Sequence, residues 1–487
     1  MDCLAFMSAL TSIASDTPRH EDGDFSEEYA EMQLSLLDAL FFAFERQDSP
    51  KHVAGLQIFK LPPGRGDEYV AELVAQLHAT PVTREPFNLK LDWPLTRWPR
   101  WKQVEVDLDR HIIHERLPAP GNMRQLEELV GRLHAPQLDR SRPVWEVYLI
   151  EGLENDRFAT YSKIHHAYAD GLTMVNWQLK TMGSKAGKPL VPVWAYPEKP
   201  GKKTRKSFFE AALERNRQLF KQLRAYPELF AFISKIFLQW IGLRRGDLTI
   251  PLLAPRTAFN RQPGSAARTT VTAALSLEKI KQLCAATDTT INEVVLTVCD
   301  MALQRYLDEH EAHTDEPLTL QMPISLARRV GEEQSGGNQV ALAWLKMGTE
   351  RDPLTRLGEV RESCHEVKEN YVDALSPKAI TTFTILMASL YQTLDAAGID
   401  QVLPPPANTL ISNVPGPQKT LYYGDARMLA FYPISTILPG IALNITVLSY
   451  DGVLFFGITS CRDALPGMEE SASFIYDAFD ALYEAAV

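Results

Sequence analysis

The chain combines two patterns of apolar and polar positions, beginning near residue 32 with MQLSLLDALFFAFE. Apolar residues at every second position predict strands at HVAGLQIF, WKQVEVDL, WEVYLIEGL and RFATYSKIHH. In MRQLEELVGRLHA the apolar residues instead recur three and four positions apart, which predicts a helix. Because strands and helices interleave, residues 32–195 are predicted to form an α/β lobe.

The same mixture returns from about residue 256 and continues to residue 487. ARTTVTAALSL predicts a strand, LEKIKQLCAAT a helix, and TTINEVVLTVCDMALQRYL a long, capped and buried helix. Further strands are predicted at LTLQMPISL, ALAWLKM, TLISNVP, IALNITVLSY and VLFFGITSC, and a final amphipathic helix at FIYDAFDALYEAA. Residues 256–487 are therefore predicted to form a second α/β lobe.

Residues 196–255, between these lobes, are predicted to be a linker and a basic amphipathic helix. Pro, Gly and Lys are frequent in GKPLVPVWAYPEKPGKKTRKS, which is typical of a linker. In the helix that follows, apolar residues at helical spacing alternate with Arg215, Arg217, Lys221 and Arg224. One interpretation is a connecting helix with a solvated basic face, and the other is attachment to an anionic membrane or lipid surface. The sequence leaves both interpretations open.

Length and composition indicate a large folded protein. A chain of 487 residues is too long for one ordinary core, so we expect a cleft between the two lobes. Hydrophobic residues make up 45% of the chain and charged residues 23%, which is ordinary globular composition. Only residues 1–31, which are acidic and aperiodic, are expected to be a disordered extension.

Charge and cysteine content exclude several classes of protein. The net charge of -11 argues against a partner such as nucleic acid, whose binding surface would be basic. The five cysteines are widely spaced and form neither a disulfide framework nor a zinc motif. We find no secretion signal and no apolar run of the roughly 18 residues that a membrane span needs. A cytoplasmic protein, either soluble or peripherally bound to a membrane, is therefore expected.

The strongest candidate for chemistry is KIHHAYADGL, in which His165 and His166 end a predicted strand and Asp170 and Gly171 follow. A neutral imidazole is well suited to take a proton from an attacking alcohol near neutral pH. Asp170 is close enough in sequence to fix the ring or the loop, and Gly171 would allow turn angles that other residues disfavour. The alternative is a core histidine beside a plain Asp-Gly turn, but two adjacent histidines make this interpretation weaker.

The sequence does not favour a metal centre or a protein nucleophile. A metal would need further ligands, and the other close histidine pair, His111 and His114, has no signature that links it to the first. No Gly-x-Ser-x-Gly elbow and no nucleotide fingerprint is present. A base without a protein nucleophile indicates direct transfer, in which the hydroxyl of the substrate attacks an activated acyl group.

HHAYADG matches the HHxxxDG motif of the coenzyme A-dependent acyltransferase superfamily. The surrounding segments narrow the resemblance to the bacterial wax ester synthase/diacylglycerol acyltransferase family. They occur in the same order as in that family and span residues 33–487: LSLLDALFFAFE with HVAGLQIF, LDRSRPVWEVYLIEGL, TINEVVLTVCDMALQRYL, MPISLARR, GGNQVALAWL and LISNVPGP.

This resemblance implies a two-lobed α/β fold like that of chloramphenicol acetyltransferase, with the active site in a tunnel between the lobes. It also implies that His166 is the general base, with His165 in a supporting role and Asp170 a structural residue. The base would deprotonate a fatty alcohol or a diacylglycerol, which then attacks the thioester of a fatty acyl-CoA. No permanently bound cofactor and no metal are implied.

Other site residues are assigned by the same resemblance. Asn292 matches the asparagine of the family's Asn-Asp motif and would donate a hydrogen bond near the reacting centre, whereas the alternative is that it caps a helix. Glu293 replaces the usual aspartate, which puts a tightly hydrogen-bonded role of this carboxylate in doubt. Four more residues are candidates: Pro143 and Trp145 for packing, and Ser412 and Asn413 for lining the tunnel or forming a turn.

The expected partners are fatty acyl-CoA as co-substrate, a fatty alcohol, a diacylglycerol, and a membrane or lipid-droplet surface. Two alternatives remain beside lipid synthesis. One is acyl transfer to another acceptor within the same superfamily, and the other is a non-catalytic lipid-binding or droplet-coating protein. We expect peripheral association with the inner membrane face or with lipid inclusions, because a tunnel for long apolar chains needs an apolar entrance.

Overall fold

Two six-stranded sheets organise the chain. The computed structural model describes residues 33–66, 68–94, 98–196, 227–243, 249, 251–310, 314–324, 341–399 and 402–487. Residues 1–31, predicted to be a disordered extension, and the basic segment with Arg215, Arg217, Lys221 and Arg224 lie outside this part of the chain.

The elements up to residue 196 comprise four α-helices and six strands among the described residues. The helices are α1 (Leu36–Ala43), α2 (Glu68–His78), α3 (Met123–His134) and α4 (Gly171–Lys180). The strands are β1 (His52–Lys60), β2 (Leu89–Asp92), β3 (Arg100–Gln103), β4 (Ile112–Arg116), β5 (Trp145–Leu153) and β6 (Arg157–His165). Single 3-10 turns occur at Leu108–Arg110 and Val193–Ala195.

The elements after residue 226 are more helical. The helices are α5 (Pro227–Trp240), α6 (Leu277–Thr287), α7 (Ile291–Glu309), α8 (Pro353–Val367), α9 (Pro377–Ala396) and α10 (Ser471–Ala486), with a π-helical turn at Lys368–Asp373 and 3-10 turns at Ala258–Asn260 and Met468–Glu470. The strands are β7 (Arg268–Ser276), β8 (Thr319–Ile324), β9 (Ala341–Lys346), β10 (Thr409–Val414), β11 (Tyr422–Tyr423), β12 (Ala426–Ile434), β13 (Leu443–Tyr450) and β14 (Val453–Cys461).

The first sheet has the strand order β11-β12-β1-β6-β5-β4, and the second has the order β7-β14-β13-β10-β8-β9. Strands β12, β1, β6 and β5 pair antiparallel, and only β4 joins this sheet in parallel. In the second sheet β13, β10 and β8 are parallel to one another. The buried apolar side chains form two clusters, one for each lobe, although Leu448, Tyr450 and Phe455 of the second sheet belong to the cluster of the first lobe.

The two lobes are not separated by a single boundary along the chain, because a late segment of the chain belongs to the first sheet. Strands β11 and β12 lie after residue 256, yet they complete the first sheet, where Leu56 pairs with Tyr432 and Ile58 with Ala430. Apolar side chains of this segment, such as Phe431 and Ile434, belong to the first core. The edge of β1 would otherwise present unpaired backbone groups, and the late segment of the chain covers it.

The lobes meet at several places, and two of these contacts join one secondary-structure element of the first lobe to a strand of the second sheet. Strand β12 of the first sheet crosses β14 of the second at Gly457, where a Cβ atom would lie 1.7 Å from the carbonyl oxygen of Pro433, so only glycine allows this approach. Helix α3 of the first lobe lies on the edge strand β7, where Glu127 Oε1 accepts hydrogen bonds from the backbone N–H (2.8 Å) and the hydroxyl (2.6 Å) of Thr272.

Most of the strands and helices predicted from the periodicity are present. The strand predicted at WKQVEVDL is shorter than expected, because β3 ends at Gln103. This residue pairs with Leu89, the first residue of β2, so β2 offers no partner to the residues after Gln103. The described elements that the sequence analysis did not predict include helices α1, α2, α4, α5, α8 and α9 and strands β2, β4, β11 and β12. Among the described helices, none combines the length and the apolar character that crossing a membrane requires.

Candidate active site

The two adjacent histidines lie where the central strand β6 ends. His165 is the last residue of β6 and pairs with His52 of β1, and His166 follows outside the strand. The chain then turns sharply, since Tyr168 N–H donates to the carbonyl oxygen of His165 at 2.9 Å. The predicted end of the strand is therefore present, and it places both imidazoles at one end of the first sheet.

Asp170 and Gly171 form the start of a helix rather than a loop. Asp170 is the N-cap of α4, and its Oδ1 accepts a hydrogen bond from Thr173 N–H at 2.7 Å. Gly171 is the first helical residue, and a Cβ atom there would meet no other heavy atom within 4 Å. The expectation that Gly171 adopts turn angles disfavoured for other residues is therefore wrong, because its φ is not positive.

His166 is held by its backbone and by an aromatic ring. Its N–H donates to the carbonyl oxygen of Lys51 at 2.8 Å, and its imidazole stacks on Phe41 with the ring centroids 4.4 Å apart. The residue remains partly exposed. Burial of the ring lowers the pKa of His166 to about 4, although the negative charge of Asp170 opposes this shift. The imidazole is therefore neutral at physiological pH and able to accept a proton.

His165 is completely buried beside His166. Its ring stacks on Phe42 with the centroids 4.0 Å apart, and its Nδ1 accepts a hydrogen bond from Ala167 N–H at 3.1 Å. This bond assigns the proton of the neutral ring to Nε2, which lies 3.6 Å from Glu45 Oε2. Burial lowers the pKa of His165, and the facing Glu45 opposes the shift. His165 therefore shapes the turn that carries His166.

Glu45 is a site residue that the motif analysis does not identify. Its fully buried carboxylate accepts hydrogen bonds from Arg140 (Nη2 2.7 Å and Nε 3.1 Å) and from Lys51 N–H (2.9 Å). Burial alone would raise the pKa of Glu45, but the facing His165 and the charge of Arg140 lower it to about 2. The only sequence signal is an acid that directly follows the apolar run LFFAF, in a segment that carries the family resemblance.

Pro143 and Trp145 lie in the core of the first lobe. The indole N–H of Trp145 donates to the carbonyl oxygen of Phe87 at 2.9 Å, and the indole stacks on His111 (4.3 Å between centroids) and on Trp194 (5.1 Å). The carbonyl oxygen of Pro143 accepts the N–H of Trp145 at 3.0 Å. Every one of these contacts serves packing or backbone pairing.

The second histidine pair, His111 and His114, binds partners that are not part of the group around His166. His111 Nδ1 lies 2.7 Å from the carbonyl oxygen of Trp145, and His114 Nε2 lies 3.2 Å from Glu151 Oε2. Across the described ranges, no group of three or more His, Cys, Asp or Glu side chains is arranged to hold a metal ion.

Asn292 and Glu293 lie at the start of α7 in the second lobe. Thr290 is the N-cap of this helix and Glu293 completes a capping box, since Glu293 Oε2 accepts from Thr290 N–H (2.7 Å) and Thr290 Oγ1 accepts from Glu293 N–H (3.3 Å). The alternative that Asn292 caps the helix is therefore wrong, and its amide Nδ2 lies 3.4 Å from Met322 Sδ on β8. The sequence put a tightly hydrogen-bonded role of the Glu293 carboxylate in doubt, but this carboxylate is hydrogen-bonded within the capping box.

Substitution of Glu293 tests this capping role. Because a capping box accepts glutamate or glutamine, we expect Glu293→Gln to keep the stability of the wild type, whereas Glu293→Ala lowers the free energy of unfolding by about 1 kcal/mol. Glu293→Asp, one methylene shorter, is expected to fall between them. Urea unfolding monitored by circular dichroism measures all three, and equal stability of the alanine and glutamine variants would contradict the assignment.

Ser412 and Asn413 lie on β10 of the second sheet. Ser412 Oγ donates to Thr446 Oγ1 (3.2 Å), which donates to Asn444 Oδ1 (3.0 Å). Asn444 Nδ2 in turn donates to the carbonyl oxygen of Thr436 at 2.9 Å, and Thr436 Oγ1 donates to that of Pro50 at 2.9 Å. A chain of hydrogen bonds thus links Ser412 to the residue before Lys51, whose carbonyl oxygen holds His166.

The structure therefore brings some of the predicted residues together and leaves others in separate settings. His165, His166 and Asp170 form one group on the first lobe, to which the geometry adds Glu45 and Lys51. Asn292, Glu293, Ser412 and Asn413 belong to elements of the second lobe: α7 and β10.

Solved structures define the class of fold. The chain is similar to the wax ester synthase/diacylglycerol acyltransferase from Marinobacter aquaeolei VT8, with a TM-score of 0.72 and 28% identity over 93% of this chain and 100% of that one. It also shares its fold with the starter condensation domain of rhizomide synthetase, with a TM-score of 0.57 and 13% identity over 96% of this chain and 98% of that one. The two-lobed α/β fold expected from the motifs is confirmed.

Sequence comparisons define the family. The model of the wax ester synthase/diacylglycerol acyltransferase catalytic domain matches residues 34–295, and that of the C-terminal domain matches residues 336–483. A Mycobacterium tuberculosis protein named probable diacylglycerol O-acyltransferase is 33% identical over 92% of this chain and 98% of its own length. The O-acyltransferase WSD of Acinetobacter baylyi is 32% identical over 93% and 97%. The chain belongs to the wax ester synthase/diacylglycerol acyltransferase family, as the motifs predicted.

Proposed function

We propose that this protein transfers a long-chain acyl group from acyl-CoA to the hydroxyl of a fatty alcohol or a diacylglycerol, with His166 as the general base. The observation that carries the proposal is the neutral imidazole of His166, a partly exposed residue held at the end of β6 by Lys51 and Phe41. Membership of an acyltransferase family supports the same reaction class.

In the proposed reaction the imidazole of His166 takes the proton of the acceptor hydroxyl as its oxygen attacks the thioester carbonyl carbon. The tetrahedral intermediate then collapses, the carbon–sulfur bond breaks, and the leaving thiolate takes the proton from the imidazolium. The products are an ester and free CoA. A neutral base is required at the start, and the low pKa of His166 supplies it throughout the physiological pH range.

The remaining predicted site residues act around this step. Asn292 is proposed to donate a hydrogen bond near the reacting carbonyl, and Ser412 and Asn413 to line the path of the substrate. Asp170 and Gly171 begin α4, and the carboxylate of Asp170 moderates the pKa of His166. Pro143 and Trp145 are proposed to stabilise the first lobe without contacting substrate.

An apolar cavity in the second lobe supports a hydrocarbon substrate. Its volume is about 50 Å³, and it lies between α9, the second sheet and the loop before β13. Met387, Ala388 and Tyr391 of α9 line one side, while Leu438 and Ile441 line another. Such a lining favours a long alkyl chain over a polar acceptor.

The proposal is tested by measuring free CoA released from palmitoyl-CoA with hexadecanol, and separately with a diacylglycerol. Acceptor-dependent release with matching ester, identified by mass spectrometry, is the expected result, and the two rates rank the acceptors. If folded protein releases no CoA with either lipid, then acyl transfer to another acceptor or a non-catalytic lipid-binding role replaces the proposal.

Peripheral association with a lipid surface is proposed from helix α5. Leu229 and Phe232 on one face of this helix are buried, and Phe232 packs against Tyr371 and Phe383. Phe230 and Phe237, seven residues apart on another face of the helix, have 76% and 54% of their surface exposed. An exposed apolar face of this kind is typical of an interaction site, and a lipid acceptor makes a membrane or lipid droplet the fitting partner.

We expect the double variant Phe230→Ser and Phe237→Ser to weaken binding to phosphatidylcholine vesicles by at least about tenfold, because each buried phenylalanine contributes roughly 1.5–3 kcal/mol. Vesicle flotation measures the change. Leu354→Ser, which removes an exposed leucine from α8, serves as the matched control. The proposal is contradicted if vesicle binding requires anionic lipid and the double variant binds as tightly as the wild type. Basic residues would then attach the protein to the surface.

A further inference from the structure

Residues Glu45–Lys51, here called the connecting segment, join α1 to β1. One end of this segment lies beside His165, and the other end binds His166. At one end Glu45 Oε2 lies 3.6 Å from His165 Nε2, and at the other the carbonyl oxygen of Lys51 accepts the N–H of His166 at 2.8 Å. Between them Arg46 and Ser49 close a tight turn with two backbone hydrogen bonds of 3.0 and 3.3 Å. The connecting segment therefore has the stiffness to carry a displacement from its middle to its ends.

The middle of the connecting segment is held by the second lobe. Arg46 Nη1 lies 2.6 Å from Asp395 Oδ2, and the carbonyl oxygen of Asp48 accepts a hydrogen bond from Arg268 Nη2 at 2.5 Å. Asp48 also binds Arg46 from within the segment, at 3.0 Å from Nε. The side chain of Asp395 is only 8% exposed, so its charge-assisted bond to Arg46 is well shielded from water.

The arginine-binding residue Asp395 lies on the helix that forms one wall of the apolar cavity. It lies in the last turn of α9, whose preceding turns contribute Met387, Tyr391 and Gln392 to the cavity lining. The carbonyl oxygen of Pro50 is bound by Thr436, two residues before the lining residue Leu438. The helix and the loop that form two walls of the cavity thus also carry residues, Asp395 and Thr436, that bind the connecting segment directly.

The cavity is too small for a long chain in this conformation. Its volume of about 50 Å³ is well below the roughly 300 Å³ at which pockets for small molecules begin. Because protein interiors are close-packed, an entering alkyl chain has to push the walls apart. Helix α9 is one continuous helix of 20 residues, so a displacement of the turns that line the cavity would carry Asp395 with it.

We propose that Arg46 is a specificity-determining positioning residue, which couples the filling of this cavity by a hydrocarbon chain to the placement of His166. A chain long enough to displace α9 shifts Asp395, and the ion pair carries this shift through the connecting segment to Lys51 and His166. A short chain leaves α9 in place and gains nothing from the ion pair. This inference rests on the proposed function, because it assigns His166 the role of base.

The test compares Arg46→Gln, Asp395→Asn and the double variant over a series of substrates. Acyl-CoA length is varied from octanoyl to stearoyl with hexadecanol as acceptor, and alcohol length is then varied with palmitoyl-CoA, so that the two series show which chain enters the cavity. In the series that varies the chain entering the cavity, we expect each single variant to lower kcat for long chains by about fivefold. The kcat for short chains should stay at the value of the wild type. This is a modest coupling, since Arg46 is 41% exposed.

Three comparisons separate coupling from general damage. The double variant is expected to resemble either single variant, and Arg46→Lys to restore part of the long-chain preference. Arg305→Gln removes an ion pair with Asp477 that joins α7 to α10 away from the cavity, and it should leave selectivity unchanged. Unfolding midpoints show which variants are intact, and Arg46→Lys carries the comparison if Arg46→Gln does not fold.

The coupling is overturned by an equal fall in kcat at every chain length, by no fall at any length, or by additive effects in the double variant. If these occur while CoA release still depends on His166, only the coupling fails. Absence of acceptor-dependent CoA release by the wild type would overturn the proposed function, and the coupling with it.

Discussion

Replacing His166 with alanine is expected to lower kcat for acceptor-dependent CoA release by about 10²- to 10⁴-fold, the range that a general base contributes. His166 is a partly exposed residue at the end of a strand, and its ring packs mainly on Phe41, so its loss should change the free energy of unfolding by only about 1 kcal/mol. Thiol release from palmitoyl-CoA with hexadecanol measures the rate, and urea unfolding measures the stability.

His166→Gln and His114→Gln sharpen this comparison. The first keeps a side chain of similar size that has no basic nitrogen, and it should lose as much activity as alanine. The second changes a histidine paired with Glu151 on the same sheet and should keep activity near that of the wild type. A fall of less than about tenfold in both His166 variants would contradict the role of this residue as base.

The pH dependence follows from the same imidazole. A histidine with an ordinary pKa would lose about nine-tenths of its neutral form at pH 5.5. His166, with its pKa lowered to about 4 by burial, stays neutral above that value. We therefore expect kcat/KM for the wild type to change by less than about twofold between pH 8 and 5.5, and a fall centred near pH 6.5 would show that the active base is an ordinary histidine.

The sequence predicted those parts of the site that depend on neighbours along the chain. The strand that ends at His165, the helix that contains Asn292 and the strand that contains Ser412 all follow from local periodicity, and the motif identified the adjacent histidines. Local reasoning was less accurate at Asp170 and Gly171, because an Asp-Gly pair signals both a turn and a helix start.

Contacts between distant parts of the chain were beyond this reasoning. Glu45 and His165 are separated by 119 intervening residues, and periodicity does not show that α1 ends against β6. The ion pair between Arg46 and Asp395 joins the two lobes across an even longer stretch. Strand β12 was assigned by sequence position to the second lobe, although its hydrogen-bonding partner is β1. Pairing of this kind is a property of the folded sheet.

Glu45→Gln is the second substitution with a large expected effect, because Glu45 connects the stability of the first lobe with the histidine pair. The pKa of Glu45 is lowered to about 2 from an ordinary value of about 4.5, so its charge stabilises the fold above pH 4.5, and this contribution is lost as the pH falls through 2. At pH 7 we expect the glutamine variant to lose about 3 kcal/mol of unfolding free energy, measured by urea unfolding.

Part of this loss should come from the partner that remains. Arg140 keeps its positive charge over Phe42 once its carboxylate partner is gone, and a guanidinium that is only 36% exposed is destabilising there without a counter-charge. The double variant Glu45→Gln with Arg140→Met removes both charges and is therefore expected to be more stable than Glu45→Gln alone. If the double variant is instead less stable by the sum of two independent effects, the pair does not act as a unit.

The activity of the Glu45→Gln variant shows whether Glu45 positions the histidines or only stabilises the fold. Without the carboxylate, the Nε2–H of His165 loses the group that it faces, and the turn through Ala167 that carries His166 loses one of its supports. We expect kcat for CoA release to fall by about tenfold with little change in KM, measured at a temperature where the variant is folded. Because Arg140→Met leaves Glu45 facing His165, that single variant should lose stability yet keep most of its kcat. A variant of Glu45 that is destabilised but fully active would show that the carboxylate only holds the lobe together and that His165 positions His166 without it.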